Sequence, residues 1–394
     1  MTAEPGRPSP GHPPSSHPMS GHSASGHSAS AHPTSGYPTG GRPLPAWNHR
    51  AERGNALLSR VMVWLALHLG WRAGRLLLYP ITAYFFVAAP MARRASARFL
   101  ARVLGRPAGA GLVFRHLHGF AAMLLDRAFF LAGRTGDFSL SVTGLAQLDA
   151  AIAQGRGVVL LGGHLGSFEA LRAFGRTAPV PVRMLMYRAN RGAFSQVMER
   201  LDPTLGAAVI EIGAPEAMLA VREAILRGEI VGILADRAPE PAARPEGARP
   251  EVAPPEMAQP GVGGANAGGA ARRVRVPFLG AEADFPAGPF LLAAGLGAPV
   301  LLFFGLCTGP RRYELRFEPF ATRLDLPRAD RAAALRQAVL CYAERLAERA
   351  RAYPLQWFNF HDLWGPPWEA PADARPSATA ATRPVRVAEA GPGE

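Results

Sequence analysis

His164 stands three residues beyond a run of apolar β-formers, directly behind the glycine pair Gly162–Gly163, and an acid, Glu169, follows in GGHLGSFEALR. An imidazole beside a carboxylate at a strand end is equipped for proton transfer. The carboxylate accepts a hydrogen bond from one ring nitrogen, fixes the tautomer and leaves the other nitrogen as a base. Such a dyad needs neither a metal nor a protein nucleophile. On one continuous helix this spacing would put the two side chains on different faces. They can meet only with His164 in a loop and Glu169 in the first turn of the next helix, which Gly166 and Ser167 would start. Taken singly, each residue has an ordinary reading: an acid favoured by a helix dipole, and a satisfied loop histidine. Gly162 and Gly163 permit a tight turn and a close approach of substrate to backbone.

Other reactive side chains offer less. His116 and His118 in FRHLHGF are two apart on a predicted helix and point apart, which argues against a metal pair. Ser167 lacks the Gly-x-Ser-x-Gly elbow of a nucleophile. Cys307 and Cys341 are the only cysteines, far apart and in apolar settings, so they read as buried hydrophobes of a reducing compartment. All 43 basic side chains other than histidine are arginine. Without lysine there is no Schiff-base chemistry and no P-loop lysine.

The elements that must position these residues form an α/β domain. FSLSVTG, GVVLLGG, VPVRMLMY, AAVIEIG, EIVGILAD, RVRVPFLG, APVLLFFGLCT and RRYELRFEPF read as short strands. Helical segments such as LAQLDAAIAQG and APEAMLAVREAILRG lie between most of them, which implies a mixed, largely parallel sheet flanked by helices. Sites in such sheets form at the carboxyl ends of strands, where His164 falls.

Around this core the chain is uneven. Residues 1–48 are rich in Pro, Gly, Ser and His, lack an apolar stretch and read as a disordered tail, not a signal peptide. Residues 55–105 hold two apolar runs, Val61–Trp71 and Leu76–Ala92, separated and followed by arginines. The second is at the lower limit for crossing a bilayer and contains Pro80. It either spans or lies in the interface, where Tyr79, Tyr84 and the arginines suit a negative leaflet; the soluble alternative is a pair of buried helices. Residues 106–368 make the catalytic domain, with a Pro/Gly/Ala-rich insertion over 238–271 expected to be disordered, and residues 369–394 form a second tail. The formal charge of +13 and pI near 11.0 point to anionic partners. Nucleic acid is not expected among them, because no recognition motif is present and the arginines are spread along the chain.

GGHLGSFE resembles the His-x4-acid motif of the lysophospholipid acyltransferase superfamily. From Asn55 to Trp364 the chain is similar to its bacterial lipid A biosynthesis (late acyltransferase) branch, with MYRANRGAFSQVMERL, GILADR, RRVRVPFLG and YPLQWFNFHDLW in that branch's order. Arg237 stands where that branch carries Gln and the terminal aromatic motif differs. The chain therefore looks closer to predicted acyltransferases encoded beside aryl polyene or related lipid genes. The resemblance implies a glycerolipid acyltransferase-like fold and an O-acyltransferase that moves a fatty acyl group from acyl carrier protein or coenzyme A to a lipid or glycolipid hydroxyl. No cofactor or metal is implied. In that reaction His164 would be the base, Glu169 its orienting acid, and the N–H groups of Leu165 and Gly166 the oxyanion donors. Arg188 would hold a phosphate, and Asp236 and Arg237 would form an ion pair shaping the same pocket. The implied location is the cytoplasmic face of a bacterial inner membrane. A thioester hydrolase using the same dyad, and a non-catalytic membrane scaffold, are the alternatives.

Overall fold

In the computed structural model the described residues are 56–171, 180–187, 216–237, 273–361 and 363–364, with 197–198, 200–202, 204 and 208–212 between them. The two expected tails, the 238–271 insertion and Arg188 lie outside these residues. Four helices come first: α1 (Ala56–Leu69), α2 (Trp71–Ala88), α3 (Pro90–Leu104) and α4 (Ala110–Leu131). The α/β part follows as β1 (Ser139–Thr143), α5 (Leu145–Ile152), β2 (Val158–Gly162), β3 (Val182–Tyr187), β4 (Val209–Ile212), α6 (Ala217–Leu226) and β5 (Ile230–Leu234). It ends in β6 (Arg273–Phe278), β7 (Ala281–Pro286), α7 (Gly288–Leu296), β8 (Val300–Gly309), β9 (Arg312–Ala321) and α8 (Arg331–Ala352).

Seven strands form one sheet in the order β1-β9-β8-β2-β5-β3-β4. The five from β8 to β4 run parallel, while β9 is antiparallel to β8 and parallel to β1. The central strand β2, VVLLG, is buried at every position, as an interior parallel strand must be when helices cover both faces. Its alternate residues enter different cores. Val159 and Leu161 pack with Phe290, Val339 and Tyr342 of α7 and α8, whereas Val158 and Leu160 pack with Ala66, Leu78, Phe129 and Leu148 of α1, α2, α4 and α5. All eight expected strands form. The additional strand, β7, reads AEADFP and carries no β-former signal. It is made by a two-residue turn at Leu279 and Gly280, both with positive φ (50° and 80°), that folds it onto β6.

The run Leu76–Ala92 is not one element. α2 passes through Pro80 and stops at Ala88, and α3 leaves at 96° to it. No single helix among the described residues is long and apolar enough to cross a membrane, although this bent pair together has the length and composition. α2 buries Gly74, Leu78 and Thr82, a stripe one helical turn apart. Gly74 allows the close approach there, since a Cβ would lie 3.1 Å from that of Ala66 and 3.2 Å from the Leu125 side chain. Its other face leaves Leu76, Tyr79, Tyr84 and Val87 exposed, continuous in type with Trp64 and Leu69 on α1 and Met91 on α3.

Candidate active site

The loop after β2 carries His164, and its neighbour in the sheet is β5, not the helix ahead. β2 and β5 are in register from Val158↔Ile230 to Gly162↔Leu234. Two residues past each strand, the same offset sets His164 opposite Asp236. The imidazole Nδ1 lies 2.8 Å from Asp236 Oδ1, and the His164 backbone N–H donates to Oδ2, also at 2.8 Å. A carboxylate can only accept, so the ring carries its proton on Nδ1 and leaves Nε2 as a base. The His164 side chain is 28% exposed and that of Asp236 is fully buried.

Asp236 is held from the other side by the segment after α8. Trp357, itself fully buried, donates its indole N–H to Oδ2 at 2.8 Å, and Asn359 Nδ2 donates to the Asp236 carbonyl at 3.2 Å. Burial pushes the Asp236 carboxyl up. The His164 charge and the hydrogen bonds from His164 and Trp357 outweigh it, leaving the group below the usual carboxylate range. It is therefore an anion at neutral pH. The same segment straps the histidine loop: Phe358 N–H donates to the His164 carbonyl at 2.7 Å and Gly166 N–H to the Gln356 carbonyl at 2.8 Å. Gln356 is in turn fixed by its side-chain amide, which pairs with both backbone groups of Cys307.

Two glycines make this approach possible. A Cβ on Gly163 would lie 3.0 Å from the Tyr342 hydroxyl and 3.2 Å from Asp236 Oδ2. Gly166 has φ +73°, and a Cβ there would strike the Gly305 carbonyl, so the loop leaves β2 along one path.

Glu169 does not reach His164. Leu165 bridges to Trp357 and Gly166 to Gly305, so the chain stays paired through the positions where it would have to turn back. Glu169 then opens a helical turn and pairs with Arg127 of α4, its Oε1 2.9 Å from Nη2. Two further expectations are corrected. Asp236, expected to shape the pocket as a partner of Arg237, has its carboxylate oxygens engaged by His164 and Trp357 and so acts on the imidazole. The Gly166 N–H is committed to Gln356 and is no oxyanion donor, while Leu165 remains beside His164 with its side chain buried.

Arg237 is half-buried and its charge is felt at His361. Burial first, then Arg237 and His164, hold the His361 imidazole down to about 3, so it is neutral beside the dyad. His116, which also looked unpromising as a ligand, supports the site from beneath. It is completely buried, with Nε2 3.0 Å from the Trp357 carbonyl and Nδ1 2.8 Å from Ser96 Oγ. A carbonyl only accepts, so Nε2 carries the proton and Ser96 donates to Nδ1. Among the described residues no group of three His, Cys, Asp or Glu side chains is placed to hold a metal.

The roles of Asp236 and Trp357 were missed by reading along the chain. Their signal was present, because Asp236 ends a buried apolar strand with the same two-residue offset as His164. The arrangement can accept a proton at Nε2 and return it, with a buried anion stabilising the imidazolium between the two events. No protein-family model matches the chain and no curated protein matches it, so the meaning of the site rests on its own residues.

Proposed function

We propose that this protein is a membrane-associated O-acyltransferase, moving a fatty acyl group from acyl carrier protein or coenzyme A thioester to a hydroxyl of a lipid or glycolipid. The observation that carries the reading is the His164–Asp236 pair, with a buried carboxylate on Nδ1 and a partly exposed ring at the carboxyl end of β2. His164 Nε2 takes the acceptor hydroxyl's proton as its oxygen bonds to the thioester carbonyl carbon. The tetrahedral intermediate collapses by breaking the C–S bond, and the imidazolium returns the proton to the leaving thiolate. Asp236 is a positioning residue that keeps the ring oriented and stabilises its charged form.

The membrane part of the proposal is supported by the exposed Trp64, Leu69, Leu76, Tyr84, Val87 and Met91 on α1–α3, flanked by the exposed Arg60, Arg72, Arg94 and Arg98. An apolar face rimmed by arginine suits an anionic lipid surface. The test is acyl transfer from labelled acyl carrier protein and acyl coenzyme A into membrane lipid extract by wild type and His164→Ala. Labelled lipid from wild type alone, with the variant folded, is the expected result. Free fatty acid as the sole product makes the protein a hydrolase, and equal labelling by both proteins removes His164 from the chemistry.

A further inference from the structure

The loop that carries His164 also borders a cavity of about 330 Å³ between α2, α4 and the segments around Cys307 and Gln356. Neither His164 nor Asp236 lines it. Its walls are mostly apolar, with Tyr79, Phe114, Met123 and Phe358 among them. Two arginines, Arg75 and Arg115, line it as well, and neither has a carboxylate partner among the described residues. The guanidinium of Arg75 lies over the face of Trp71, 5.2 Å from the ring centre, which holds it in place without neutralising it.

Asp126 is the one acid among the lining residues, and it is already satisfied. Trp71 Nε1 donates to one oxygen at 2.6 Å and the Tyr313 hydroxyl to the other at 2.7 Å. Burial raises its carboxyl, in spite of those bonds and of the charges of Arg75 and Arg311. Ser167, 1% exposed, also lines the cavity, and its buried hydroxyl has no hydrogen-bond partner. Two arginines without a carboxylate contact, set among aromatic walls, together call for an anion attached to hydrocarbon.

We infer that this cavity binds a single-chain amphiphile with an oxyanion head, carboxylate or phosphate, held by Arg75 and Arg115, with its chain against Tyr79, Phe114, Met123 and Phe358. The volume is at the small end for ligand sites, which suits one chain and not two. Tyr79 is 54% exposed and belongs to both the cavity and the apolar face of α2, so a ligand can enter from a lipid surface. The site goes beyond the proposed acyl transfer. Because Gly166, Gln356 and Phe358 line the cavity while strapping the His164 loop, an occupant stiffens the loop without meeting the imidazole.

The experiment titrates the full chain, in non-ionic detergent, with dodecanoate, dodecyl phosphate and neutral dodecanol. Tryptophan fluorescence reports occupancy and equilibrium dialysis of labelled ligand gives stoichiometry. One equivalent of dodecanoate or dodecyl phosphate is expected to bind, and whichever binds more tightly identifies the head. Dodecanol should bind at least about tenfold more weakly, the loss expected for one charge-assisted contact. Arg75→Gln should cost a similar factor, as should Met123→Trp, which fills the cavity from a half-exposed wall. Arg72→Gln, an exposed neighbour, and His164→Ala should bind as wild type does. Unsaturable binding, equal binding of dodecanol, or equal loss in Arg72→Gln and Arg75→Gln would overturn the proposal. Normal binding by His164→Ala keeps this test separate from any failure of the acyl-transfer reading.

Discussion

His164 and Asp236 are partners because β2 and β5 are, the 2.8 Å contact between Nδ1 and Oδ1 continuing the register of the two strands beyond their ends. Backbone pairing thus sets the distance between base and orienting acid, and side-chain flexibility contributes little. Asp236→Asn keeps the shape but replaces an acceptor-only group with one that can present an N–H to the ring, favouring the wrong tautomer. The variant is expected to lose about 10²–10⁴-fold in kcat for thioester turnover, while Glu169→Gln stays within several-fold of wild type. Steady-state kinetics on both, at a temperature where circular dichroism shows them folded, decides the matter. A larger loss in Glu169→Gln would return the orienting role to the acid nearer in sequence.

Glu169 has a structural task instead. Its carboxylate is buried against Arg127, and both Arg127 Nε and Glu169 Oε2 lack hydrogen-bond partners. Removing one member of such a pair strands the other charge, so Glu169→Ala should destabilise the fold by about 3 kcal/mol. Replacing both, with Glu169→Leu and Arg127→Met, removes the desolvation penalty and should restore most of that loss. Urea unfolding of the single and double variants measures the difference. A double variant no more stable than Glu169→Ala would mean that the pair does more than neutralise itself.

These two results mark what was legible in the sequence. The strands were, because continuous apolar runs such as VVLLG and APVLLFFGLCT leave few alternatives in a chain with helices between them. His164 was also legible as a strand-end base. Its partner was not, because a spacing motif describes neighbours along the chain, while the pairing of β2 with β5 is a property of the sheet. Trp357, in the aromatic run WFNF, is fully buried like any core aromatic. Its indole N–H also donates to Asp236, a function of one atom that composition does not reveal. β7 escaped notice because its pairing depends on a positive-φ turn at Leu279, a residue type that gives no such warning.

The imidazole of His116 links α4 to the Trp357 carbonyl. Burial lowers it from an ordinary 6.5 to about 4, against the opposing pull of the Trp357 carbonyl. In the unfolded chain the ring binds a proton near pH 6.5, but in the folded protein it stays neutral until about pH 4. The unfolded state therefore holds more protons between these values, and stability falls as the pH is lowered through that window. The single group should contribute a slope approaching 1.4 kcal/mol per pH unit near pH 5 and a total loss of about 3 kcal/mol. His361, held down to about 3, adds a loss of the same sign that also begins near pH 6.5 and extends further down, to about pH 3, while Asp236 acts only below the ordinary carboxylate range. His116→Gln keeps a donor for the Trp357 carbonyl but does not titrate. Its stability, followed by urea unfolding from pH 7 to pH 4.5, should fall less steeply than that of wild type by close to one proton. An unchanged slope would show that the ring is already charged in the folded protein, with Nε2 still donating to the Trp357 carbonyl and Nδ1 donating to Ser96 Oγ.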